Sequence, residues 1–138
     1  MMDHPIVIDK LKLPDINEWL IVAALLLVVL DVVLGVAKAC KTGTLSSSKM
    51  REGLWHKTAY LGIWVIAYIF GTATMYADLG FGVPTVDAVS VYIILMEGLS
   101  GLENACALNP EMAGSRLLAQ FKGLDERVKN GEDDGSDD

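Results

Sequence analysis

The chain is predicted to be an all-α integral membrane protein with three transmembrane helices, N-terminus out and C-terminus in, plus a short amphipathic C-terminal helix. Three observations carry this. Residues 19–37 are apolar apart from Asp31, residues 58–77 carry no charge, and residues 88–102 are apolar apart from Glu97. About 20 apolar residues, rising ~1.5 Å each, cross a ~30 Å hydrocarbon core. Of 138 residues, 52% are hydrophobic, and three such spans leave no stretch large enough for a separate soluble domain. Finally, the basic residues alternate in step with the spans. The first loop and its flanks hold Lys38, Lys41, Lys49, Arg51 and Lys57, whereas the second loop holds only the acids Asp78 and Asp87. The C-terminal segment holds Arg116, Lys122, Arg127 and Lys129, and the N-terminal segment only Lys10 and Lys12. The positive-inside rule then puts the first loop and the C-terminus in the cytoplasm.

The elements follow in order. Residues 1–18 form an extracytoplasmic segment, broken by Pro5 and Pro14. Asp15 or Asn17 is placed to cap the first helix, and Trp19 suits the membrane interface. The membrane domain covers residues 19–107, with spans at about 19–39, 58–77 and 85–105. The first span is not read as a cleaved leader, although residues 37–39 resemble a small-x-small site: it exceeds a 7–15-residue apolar region and contains Asp31. A polar, serine-containing loop spans residues 40–57, and Gly80, Gly82 and Pro84 mark a short second turn. Asn109, Pro110 and Glu111 then read as a helix start: a cap, a proline at the first position and an acid in the first turn. Residues 108–129 form an amphipathic cytoplasmic helix in which Leu117, Leu118, Phe121, Leu124 and Val128 share a face. That face suits the membrane surface or a second copy of the chain. The tail 130–138 has no apolar residue and is expected to be disordered. It carries five of the acids behind the net charge of −7, so the acidity says little about ligands.

Candidate functional residues lie inside the spans, because a charge at a helix centre costs roughly 2.5–3.5 kcal/mol on insertion scales. Asp31, Gly35 and Lys38 fall on one helical stripe, and Gly35 with Ala39 forms a small-xxx-small pair that lets another backbone approach. Asp31 therefore faces a helix or the inner interface, with Lys38 or a loop lysine as partner. In the third span Ser90, Glu97 and Asn104 recur at heptad spacing beside Gly98 and Gly101. Small residues there permit close helix contact, and the polar groups hydrogen-bond across it. These eight residues are expected to pack helices or line a pore.

Other chemistry is not visible. His4 and His56 are isolated, so no metal site is expected, and no cofactor motif occurs. Two cysteines, Cys40 and Cys106, do not make a disulfide framework. No nucleophile elbow, phosphate loop or zinc-protease motif is present, and Ser46, Ser47 and Ser48 have only His56 as a nearby base. An enzyme is not expected, and nothing points to nucleic acid.

From about residue 31 to 124 the chain resembles the small three-span phage holins, the group that includes toxin-secretion holins. The resemblance rests on Asp31, Gly35 and Lys38 in the first span, the serine-rich basic loop ending at Lys57, and Pro110. Its most specific part is the string Glu97-Gly98-Leu99-Ser100-Gly101-Leu102-Glu103-Asn104-Ala105. Met96 departs from a position where a polar residue, often Asn, is usual, and Leu34 from one where Thr is common, so both stripes are less polar. The resemblance implies a non-enzymatic homo-oligomer of the bacterial cytoplasmic membrane. Such proteins permeabilise the bilayer and let out an endolysin or a toxin. Read from the residues alone, an ordered channel, an ion-coupled transporter subunit or a structural subunit of an export complex would use the same stripes.

Overall fold

The computed structural model describes residues 14–113 and 116–130, without the side chains of Leu117, Asp125, Val128, Lys129 and Asn130. Most of the N-terminal segment, and the tail 131–138 with its expected disorder, lie outside the described residues. Four α-helices make up the fold: α1 (Glu18–Thr42), α2 (Ser47–Thr74), α3 (Val86–Leu108) and α4 (Arg116–Asn130). A single 3-10 turn, Pro110–Met112, precedes α4, and the described residues hold no strand.

Local chemistry explains the boundaries. Of the two candidate caps it is Asn17 whose side chain accepts from Trp19 N–H at the start of α1. Gly43 closes α1 at φ 66°, a left-handed conformation that suits glycine, and its N–H reaches the Ala39 and Cys40 carbonyls. Thr85 caps α3 through Ala88 N–H at 3.1 Å. The expected loop 40–57 is far shorter in the structure, because α2 begins at Ser47 and carries the basic residues 49–57 on a helix. This follows from composition: Lys49, Met50, Arg51, Glu52 and Leu54 are all good helix formers, and the serines fall at the helix start. At the other end the predicted start at Asn109 is present. Its side chain accepts from Glu111 N–H, but the turn stops at Met112 and the helix resumes only at Arg116.

α3 is the centre of the packing. It lies along α1, contacts α2 and carries the 3-10 turn and α4 on its side, whereas α1 and α2 scarcely touch. Its buried residues Val86, Val89, Ser90, Ile93, Glu97 and Gly101 recur every three or four positions and form one stripe. Asn17 N–H donates to Asp87, Lys38 to Asn104 and Lys41 to the Leu108 carbonyl, so α1 and α3 run parallel. Trp64 meets Ser90 and Lys57 meets Glu97, so α2 runs opposite to both.

The interior has two zones. At one end Ala24, Ala67, Val86, Val89 and Ile93 form an apolar cluster, flanked by Tyr60, Trp64 and Tyr68 at four-residue steps on α2. The other end is polar and is described below. The outward faces are apolar: Leu26, Val29, Val33, Val65, Ile66 and Ile69 are all exposed. α1 and α3 are long and apolar enough to cross a membrane, yet only 11% and 22% of their most apolar stretches are buried. A core helix of a soluble protein would bury most of such a stretch; these present it outward, as lipid-facing helices do.

A Cβ built on Gly101 would stand 3.8 Å from Leu34 Cδ1 and 4.0 Å from Asp31 Cα, so α1 and α3 meet there with room for a methyl group only. Gly101→Ala is expected to keep near-native stability, whereas Gly101→Leu should lose about 1–3 kcal/mol by overpacking. Equilibrium unfolding of the detergent-solubilised protein in SDS checks both.

Candidate functional site

Two carboxylates sit deep in the bundle, Asp31 on α1 at 8% exposure and Glu97 on α3 at 4%. Glu97 is about 16 Å along the axis from the first residue of α3, at ~1.5 Å per residue. A buried carboxylate without partners is strongly disfavoured, so the decisive question is what answers these two. The answer comes from α2. Lys57 Nζ donates to Asp31 Oδ2 at 3.0 Å and also to Glu97 Oε2. One ammonium thus ties three helices together. The second Asp31 oxygen accepts from Asn104 Nδ2 at 3.0 Å, and the Asn104 carbonyl oxygen accepts from Lys38 Nζ at 3.2 Å. The Asn104 amide therefore acts as a relay, with its nitrogen toward the acid and its oxygen toward the second lysine. Tyr60, one turn along α2 from Lys57, adds its phenol beside Glu97.

The residues expected from sequence divide as follows. Asp31, Lys38, Glu97 and Asn104 converge on this network. Gly35 and Gly101 allow it: a Cβ on Gly35 would stand 3.6 Å from Asn104 Nδ2. Ser90 lies apart, fully buried at the apolar end, where it accepts from Trp64 Nε1 at 2.9 Å and donates to the Val86 carbonyl. Gly98 faces elsewhere, toward Phe121 of α4 and Leu27 of α1. On α4, Phe121 and Leu118 are half-buried, Leu124 is exposed, and Lys122 lies 3.6 Å from Glu103. Of that face, the side chains of Leu117 and Val128 lie outside the described residues. Cys40 and Cys106 are both free thiols.

Lys57 is the residue the sequence reasoning misplaced. It counts there only toward loop charge, and Lys38 is the named partner for Asp31. The signal was available: two acids inside spans need a cation, and Lys57 immediately precedes the uncharged run 58–77. Once α2 starts at Ser47, Lys57 lies within a continuous helix rather than at its edge.

Apolar outer faces around a closed seam of charges and amides define a small helical membrane protein whose polar groups are kept for its interior. The profile of the bacteriophage holin family matches residues 15–124, and the chain belongs to that family, which is not a family of enzymes. No curated protein and no solved structure matches the chain.

Removing one partner of a buried pair leaves an uncompensated charge, at a cost of about 3–5 kcal/mol. Lys57→Met is expected to lose stability on that scale. The triple variant Asp31→Asn, Glu97→Gln, Lys57→Met, which leaves no ion behind, should recover much of it. Comparison of the two SDS unfolding midpoints tests whether Lys57 holds the seam.

Proposed function

We propose that this chain acts as a holin. It gathers in the bacterial cytoplasmic membrane, assembles with copies of itself, and permeabilises the bilayer so that a cell-wall hydrolase or toxin is released. The observation that carries the reading is the seam of Asp31, Lys57, Glu97 and Asn104 inside helices whose outer faces are apolar. In one chain these groups satisfy each other. In an assembly the same groups are the ones able to line water, because every other inward position of the central helix near them is small or apolar.

α2 is read as the third span, through its uncharged run 58–77. Parallel α1 and α3 with an opposed α2 support it, since three successive crossings must alternate in direction. The basic residues put the start of α2 and the C-terminus inside. Alkaline phosphatase fused after Gly80 should then be active outside the cytoplasm, and fusions after Leu45 or Asn130 inactive. The reverse pattern would overturn the orientation.

Expression from a tight inducible promoter, with culture density and membrane potential followed together, tests the function. The expected result is a delay, then an abrupt fall in both, with a co-expressed hydrolase clearing the culture. Steady growth with the protein in the membrane would overturn the reading in favour of an ordered channel or an export-complex subunit. Asp31→Leu and Glu97→Leu are expected to abolish the abrupt collapse while the protein still accumulates in the membrane. If both variants collapse the potential on schedule, the seam is not what opens.

A further inference from the structure

α1 and α2 scarcely touch beyond the ion pair of Asp31 with Lys57, and a cleft of about 570 Å³ lies between them. Its volume falls in the ~300–1,000 Å³ range of small-molecule sites. Four cations line it, Lys38, Lys49, Arg51 and Lys57, against one acid, Asp31. Lys38 and Lys57 are engaged in the seam at its inner end. Lys49 and Arg51 are exposed and make no ion pair or hydrogen bond within the described residues. The first turn of α2 contributes Ser46 and Lys49 to the wall, and that turn has neither a side-chain cap nor an acid. Its positive helix end therefore adds to the lysine and arginine charge instead of being offset. Below the cations the wall turns apolar, with Val36 and Leu54.

We infer that this cleft binds an anionic glycerophospholipid, with the phosphodiester on Lys49 and Arg51 and the start of an acyl chain along Val36 and Leu54. A free phosphate would match the cations and leave the apolar wall unused, whereas a lipid uses both. The inference rests on the reading of this chain as a membrane protein with the start of α2 at the bilayer surface. It goes beyond that reading in assigning a ligand. Basic pockets between membrane helices take acidic headgroups for the same electrostatic reason.

The test is lipid retention, independent of permeabilisation. Full-length protein purified into detergent with equal phosphatidylglycerol and phosphatidylcholine is examined by native mass spectrometry for bound lipid. The expected result is a clear preference for phosphatidylglycerol. The double variant Lys49→Gln, Arg51→Gln should weaken that lipid on the order of 30-fold, or about fivefold per cation. Lys122→Gln on α4 should leave it unchanged, and unaltered helical circular dichroism shows that the variants fold. Equal retention of the two lipids by the native chain would overturn the proposal, as would a preference that survives in the double variant. Displacement of the lipid by millimolar inorganic phosphate would also overturn it, since the cleft would then read a phosphate and not a lipid. A lipid preference in a protein that fails to collapse the membrane potential would sink the holin reading and leave the site standing.

Discussion

Two carboxylates in otherwise apolar helices impose the constraint on which the rest depends. Asp31 and Glu97 are too costly to turn toward lipid and too far from the helix ends to reach water by side-chain extension alone. Both must face inward, and both must meet a cation. Lys57 meets the two at once, and this double contact sets the arrangement of the bundle. α2 has to bring residue 57 level with residue 97 while running the opposite way, and α1 has to bring residue 31 to the same level from the other side. Parallel packing of α1 on α3 then follows, with Asn17 at Asp87 and Lys41 at Leu108 as its outer ties. The apolar end, with Ala24, Ala67 and Ile93, needs only close contact and adapts to a register that the charged end has chosen.

The same constraint explains what the bundle leaves open. A seam centred on α3 satisfies α1 and α2 separately, so nothing compels those two helices to pack on each other. With α2 extended back to Ser47, its first turns stand beside the end of α1 without being buried by it. The cleft is thus the space left over when one helix serves two partners. Its cations are those the seam does not use. Charge balance inside the bundle and surplus positive charge at its flank are two outcomes of one arrangement.

Much of this was legible in the sequence, and the failures have a common cause. Hydropathy located the helices, and heptad spacing put Ser90, Glu97 and Asn104 on the face of α3 that is turned inward or toward the other helices. Gly35 and Gly101 were readable as points of close approach. The pairing was not readable, because it joins residues distant in sequence: Lys57 is 26 positions from Asp31 and 40 from Glu97. The loop boundary compounded the error. Serines and lysines before an apolar run look like a loop in a one-dimensional reading, and the same residues serve equally well as the exposed first turns of a helix. Ser90 misled in another way: its heptad spacing groups it with Glu97, but two turns of helix separate it from the charges, and a tryptophan takes its hydroxyl.

A seam that is complete within one chain has a further implication for how such a protein acts. Every polar group in it already has partners, so a single copy has no unsatisfied bond driving it open. Opening must replace those partners, either with water or with the same groups on neighbouring copies. Neither is favourable for an isolated chain in lipid, because water is absent and no neighbour is present. Both become possible together when copies crowd, since displaced helices can then re-form the lysine–carboxylate contacts between chains while water enters the space between them. On the proposed reading, delay followed by sudden action needs no separate timer. It follows from an interior that is stable alone and exchangeable only in company.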